Sequence, residues 1–152
     1  MLPLLAEDDG VNTQWQIGLI MYAGYAYVHI VNASGVLTFP AGTAYVADGA
    51  LHQCIGSITP SLLTGYLDGA PYASNTIATP AGTPSLSRSG LARGTYGAGN
   101  YAAMSVLTAR VYSTSLTPAQ AAQNYASGPT GTDYVHAGLV VDLRADRAFR
   151  KA

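Results

Sequence analysis

Carboxylates are scarce in this chain: Glu7 is its sole glutamate, and the aspartates, Asp8 and Asp9 aside, stand far apart. A glycosidase needs two carboxyl groups across a cleft, one as acid and one as nucleophile or base, and no such pair is in view. Cys54 is alone, so no internal disulfide can form and no Cys-x-x-Cys metal spacing exists. Charged residues make up 10% of the chain, against roughly a quarter in an average soluble domain. With a formal net charge of -1 there is no field to attract phosphate backbones or anionic lipid, which excludes nucleic acid and membrane surfaces as partners. A folded surface covered by hydroxyls, amides and small apolar groups calls instead for a neutral partner, another protein or a sugar. Long apolar runs are missing too. The longest, around 17–31, is interrupted by Gly18, Gly24 and His29 and falls short of a membrane span. Residues 1–6 lead directly into Glu7, Asp8 and Asp9 without a basic start or cleavage site, so they do not read as a secretory signal.

What the chain has in quantity is Gly, Ala, Ser, Thr and Tyr, the composition of many short strands joined by many turns. Its 152 residues suffice for one sizeable core and not for two ordinary domains. Strands are expected over 13–21 and 25–32, separated by Ala23-Gly24. In the second, Tyr25, Tyr27, His29 and Val31 share one face and Ala26, Val28 and Ile30 the other. Ser34-Gly35 turns the chain into a short strand over 36–39. Further strands are expected over 43–46, 51–59, 62–68, 86–88 and 101–112, while 72–99, rich in Pro, Gly, Ser and Thr, should be mostly loop. Pro-Ala-Gly-Thr occurs at 40–43 and again at 80–83, a turn sequence met twice.

One helix is predicted. Thr117-Pro118-Ala119-Gln120 carries the N-cap hydroxyl, the N1 proline and the N3 glutamine of a capping box, and Gly128 ends the run. After it, 138–143 reads as a final strand, and Arg144, Arg147, Arg150 and Lys151 make the end of the chain basic.

Three segments in order resemble laminin-G-like domains. Leu51-His52-Gln53-Cys54-Ile55-Gly56-Ser57-Ile58 is similar to the strand in which a histidine precedes alternating apolar residues. Tyr66-Leu67-Asp68-Gly69 is similar to the family's Tyr-x-Asp-Gly strand and turn. The run from Ala109 through Thr117 with its helix resembles the closing strand, connection and terminal helix. Together they span about 51–128, half of the chain. The resemblance implies an all-β, antiparallel jelly-roll sandwich of the concanavalin A-like kind, used in carbohydrate binding, in adhesion and in bacteriophage virion proteins; that fold does not fix function. The resulting division is an N-terminal arm over 1–12, the sandwich over 13–128, and a C-terminal strand and basic tail over 129–152. Little that reads as strand precedes Thr13, so the family's opening strands are incomplete; 138–143 could fill the gap in its own subunit or in a neighbour.

Candidate chemistry is thin. The Glu-x-Asp-x-x-Glu strand of catalytic relatives is absent. His29, His52 and His136 are scattered without metal-ligand spacing and read as strand histidines bonded to neighbours. Cys54 alternates with apolar residues and reads as a structural thiol. Some laminin-G-like domains hold calcium at the rim; Asp48, Asp68 and Asn100 are the matching candidates, read here as turn residues without metal. The stretch Gly97-Ala98-Gly99-Asn100-Tyr101-Ala102 has the form of a dinucleotide fingerprint, but it follows a polar loop and leads into a strand, which rejects it. Asn32-Ala33-Ser34 has the form of a glycosylation sequon and reads as a hairpin turn.

Eleven tyrosines offer both sugar-stacking platforms and interface residues. Tyr25, Tyr27 and Tyr112 are expected in the core; Asp68, Tyr96, Asn100 and Tyr101 form the candidate binding surface. Candidate inter-subunit contacts are Glu7, Asp8 and Asp9 against Arg144, Arg147 and Arg150, with Leu139 and Val141 on a strand able to join a neighbouring sheet edge; the opposite charges fit two solvated ends equally well. No catalytic residue, cofactor or metal is expected. The expected function is a non-catalytic structural and assembly protein. It would be a virion component such as a capsid decoration (cement) or tail protein, made in a host cytoplasm and packed against itself and other virion proteins. The alternative is a carbohydrate-binding, lectin-like module.

Overall fold

The computed structural model describes residues 2–8, 16–22, 24–31, 37–38, 44–76, 88–91 and 105–144. These form mostly antiparallel β-structure with one helix. One sheet holds β1 (Leu2–Asp8), β2 (Gln16–Tyr22), β3 (Tyr25–Val31), β4 (Leu37–Thr38), β5 (Ala44–Tyr45) and β9 (Arg88–Leu91), in the order β4-β3-β2-β1-β9 with β5 also on β3. A second is the meander β6 (Cys54–Ile58), β7 (Leu62–Leu67) and β8 (Ala70–Thr76). The third is a ribbon of β10 (Thr108–Tyr112) and β11 (Leu139–Arg144), with α1 (Pro118–Ser127) between them in sequence.

The strands expected over 25–32, 51–59 and 62–68 form within those bounds, because each has a partner in register: Tyr25 to Val31 across β2, and Cys54 to Ile58 across β7. Three expectations change. The segment read as an arm contains β1, which pairs β2 on one side and β9 on the other, so strand structure does precede Thr13. The region read as mostly loop begins later, since β8 runs to Thr76. The strand expected over 101–112 is Thr108–Tyr112; 105–107 precede it outside the sheet, and 101–104 lie outside the described residues. In each case the ladder partner, rather than local propensity, decides where pairing stops.

The turn of the β7–β8 hairpin is Asp68-Gly69, with φ of 50° and 80°. Positive φ at both central positions is the two-residue turn whose twist matches that of the strands, and Asp-Gly favours it. The same turn lies on α1: a Cβ added to Gly69 would come within 2.9 Å of Tyr125 Cβ and 3.1 Å of Ala122 Cα.

The two larger sheets meet through β3 on one and β6 and β7 on the other. Ala26, Val28 and Leu63 are fully buried, each large apolar side chain contributing about 1.5–3 kcal/mol. The face holding Ala26 and Val28 therefore looks inward, whereas Tyr25 and Tyr27 are only half-buried, so the core reading of these two tyrosines is corrected. Tyr25 packs edge to face on Tyr45 instead, ring centroids 5.1 Å apart. Tyr72 crosses between the sheets, its hydroxyl donating to the Ala26 carbonyl at 3.1 Å. The strand after α1 closes within its own chain, Leu139 to Arg144 pairing Tyr112 to Thr108.

The helix forms as its capping residues predict. Thr117 Oγ1 accepts from the Gln120 amide at 3.3 Å, Gln120 Oε1 accepts from the Thr117 amide at 2.9 Å, and Gly128 caps the far end at a φ of 67°. No helix of the described residues is long and apolar enough to cross a membrane.

Candidate functional site

One cluster of ionisable groups surrounds His52, just ahead of the second sheet. Its Nδ1 lies 2.8 Å from Asp68 Oδ2 and its Nε2 lies 2.9 Å from Asp48 Oδ1. Two local devices aim the carboxylates. Asp48 Oδ1 also accepts from the Ala50 amide at 2.8 Å, a tight turn closed by its own side chain. Asp68 sits at the hairpin turn, where Oδ1 accepts from the Gln53 amide at 2.8 Å while its own amide donates to the Gln53 carbonyl at 2.9 Å. The three side chains grade outward, 15% exposed at His52, 29% at Asp68 and 47% at Asp48.

The electrostatics follow from this geometry. The hydrogen bond to Asp68, then that to Asp48, raises the His52 pKa above its ordinary 6.5. The Ala50 amide, then His52, lowers that of Asp48 below 3.8. Both imidazole nitrogens face carboxylate oxygens, so when both carry protons no lone pair is left to act as a base. Cys54, on the adjoining strand, is pushed up to about 11 by burial and then by the charge of Asp68, so it stays a thiol at neutral pH.

A second cluster fastens the β10–β11 ribbon. Asp142 accepts from Arg110 Nε at 3.2 Å, from Arg144 Nε at 3.0 Å and from the Tyr134 hydroxyl at 2.9 Å. Both guanidinium groups lie against the Tyr134 ring, at 3.8 Å and 4.9 Å from its centroid, and His136 stacks on Tyr134 with centroids 4.3 Å apart. Burial pushes the Asp142 carboxyl up, but its bonds to Tyr134 and Arg144 outweigh that and hold it below the ordinary carboxylate value. Alongside, Asn124 Oδ1 accepts from the Val135 amide at 2.8 Å and its amide group donates to the Tyr112 hydroxyl, which donates to the Val135 carbonyl. Helix, connection and ribbon are thereby tied together.

Compared with family models, curated proteins and solved structures, the chain matches none. Its site must be judged from its own residues. Of the candidate binding surface, Asp68 is placed in the His52 cluster, while Tyr96, Asn100 and Tyr101 lie outside the described residues. Asp48 and Asp68, singled out separately as turn residues, converge on one imidazole. Among the described residues no group of three or more His, Cys, Asp or Glu is arranged to hold a metal ion.

Of the candidate inter-subunit residues, Glu7 and Asp8 stand on β1, paired with Ile17 and Gln16 on one side and with Ser89 and Arg88 on the other. Asp9, Arg147 and Arg150 lie outside the described residues. Leu139 and Val141 pair Tyr112 and Val111. Arg144 is buried and held by Asp142. His136 Nε2 donates to the Thr132 carbonyl, 3.1 Å away. The Tyr134 and Asn124 clusters had no signal in the sequence, because each joins residues from separate elements whose spacing follows no motif.

Proposed function

We propose that this chain is a non-catalytic structural and assembly protein with the concanavalin A-like jelly-roll architecture, and that its setting is a virion, as a capsid decoration or tail component. The reading rests on the exposed apolar side chains of β11 in the β10–β11 ribbon. Val140 and Leu143 are 64% and 48% exposed on a strand whose partner, among the described residues, is β10 alone. Val140 sits at the register shift between Val111 and Tyr112, where the ladder has one residue too many on the β11 side. An isolated two-stranded ribbon is marginal in water, and an open edge carrying apolar side chains is stabilised by a neighbouring chain that adds to it. The low charge of the whole sequence, 10%, supports burial by neighbours, and the packing of β3 on β6 and β7 supports the two-layer architecture.

The test is the solution mass of the full-length chain by light scattering, beside a Val140→Lys/Leu143→Lys double variant whose fold is checked by circular dichroism. An oligomer that becomes a folded monomer in the variant supports assembly through the ribbon. A wild-type monomer at high concentration sinks it, and binding of that monomer to a glycan array would transfer the case to the carbohydrate-binding module.

A further inference from the structure

The His52 cluster sits where the chain passes from one sheet to another. Residues 46–53 run from β5, on the first sheet, to β6, on the second. The near end is pinned by the Val46 amide donating to the Gly24 carbonyl at 2.8 Å, and the far end by the reciprocal bonds between Gln53 and Asp68. Between those pins, 47–51 are exposed, Leu51 among them. Ala47 is held by the Tyr45 hydroxyl, which donates to its carbonyl at 3.1 Å; among the described residues, what joins 48–51 to the rest is the reach from Asp48 to His52 Nε2.

An imidazole with one proton can donate from only one nitrogen, and the other then presents a lone pair. Facing a carboxylate oxygen at 2.9 Å, that lone pair repels. Both bonds therefore hold together only when both nitrogens carry protons. When one proton leaves, the better-fixed partner keeps its bond. That partner is Asp68, the less exposed carboxylate, which is also tied to Gln53. Asp48 is the half-exposed one. We propose that Asp48, His52 and Asp68 form a proton-operated latch on the crossover between the two sheets: doubly protonated His52 holds both carboxylates, and neutral His52 keeps Asp68, releases Asp48 and frees 48–51. Among the described residues, the groups facing His52 are Asp48 from the crossover itself and Asp68 from the β7–β8 turn. Cys54, on the β6 side, stays a neutral thiol, and Tyr125 of α1 adjoins the turn at Gly69. The raised pKa of His52 agrees in direction. The latch depends on the fold alone and not on the assembly reading.

The experiment is NMR on the full chain, following the His52 ring nitrogens and the heteronuclear NOE of the backbone amides between about pH 5 and 9, the range in which histidines titrate. The expected result is a His52 midpoint above 6.5, with the NOE of residues 48–51 falling at that same midpoint while those of Gln53 and Asp68 hold steady. In Asp48→Ala the midpoint drops and 48–51 are mobile at every pH; in His52→Gln their mobility does not change with pH. A His52 midpoint at or below the ordinary value overturns the proposal, as does a pH-independent NOE in the wild type. If His52→Gln does not fold, the Asp48→Ala arm decides alone, because that variant leaves the Asp68 bonds intact.

Discussion

Gly56 and Gly65 stand opposite each other across β6 and β7, and the hollow they leave together is filled by two side chains. Val28 enters from β3 against Gly56, so closely that a Cβ there would overlap its Cγ2. The ring of Tyr72 lies over Gly65, 2.5 Å from where a Cβ would be. Tyr72 occupies the irregularity of the β7–β8 ladder between the pairs Gly65–Ala73 and Tyr66–Pro71, which swings its hydroxyl across to Ala26. These glycines set how closely the sheets approach.

Gly56→Ala and Gly65→Ala should each destabilise the fold by about 1–3 kcal/mol, the usual cost of overpacking. Pairing Gly56→Ala with Val28→Ala should recover part of the loss, since neighbours in contact are coupled. Urea denaturation of the wild type, the single variants Gly56→Ala, Gly65→Ala and Val28→Ala, and the double variant measures this; purely additive losses would mean that Gly56 and Val28 do not share the space.

Asn124 closes a ring of hydrogen bonds with Tyr112 and Val135. Asn124→Ala leaves the buried Val135 amide without its acceptor, at a cost of about 1–3 kcal/mol. The urea midpoint should fall with an unchanged m-value, and proteolysis should begin at the connection following α1.

Asp142 is depressed in the fold, so its stabilising contribution is present above the ordinary 3.8 and is lost as pH falls through its lowered value. Asp142→Asn removes that acid limb. At neutral pH the variant should be less stable by about 2 kcal/mol, the scale of hydrogen bonds to charged groups, and its stability should vary less with pH from neutrality into the acid range. Thermal denaturation across that range compares the two profiles; parallel curves would mean that Asp142 does not anchor the ribbon.

Thr117→Ala should cost about 1 kcal/mol by uncapping α1, and Thr117→Ser should be nearly neutral because the hydroxyl is kept. Loss of helical circular dichroism signal in Thr117→Ser as large as in Thr117→Ala would contradict the reciprocal bonds with Gln120.

The helix was legible in the sequence because every signal for it is local: cap, proline, glutamine and terminal glycine fall within a dozen residues. So was the β7–β8 turn, since Asp68-Gly69 supplies positive φ at both places. The alternation over 25–31 was legible as alternation, but which face is inward was not: Tyr25 and Tyr27 are as apolar in body as Ala26 and Val28, and only the approach of Gly56 and Gly65 chose the smaller side chains. β1 escaped notice because Pro3 and the acids Glu7 and Asp8 weaken its strand character, and its pairing with both β2 and β9 outweighs that.

The candidate site divides along the same line. His52, Asp48 and Asp68 could each be picked out from residue type and turn context, and the sequence by itself determined β-rich class, turn chemistry and the capped helix, all consequences of neighbours a few positions apart. Only the tertiary structure decided that two turn aspartates share one imidazole and that Asp142 gathers Arg110, Arg144 and Tyr134. Those contacts join positions brought together by sheet register and packing, and a bond of 2.8 Å between residues 16 positions apart leaves no periodicity in the chain from which it could be read.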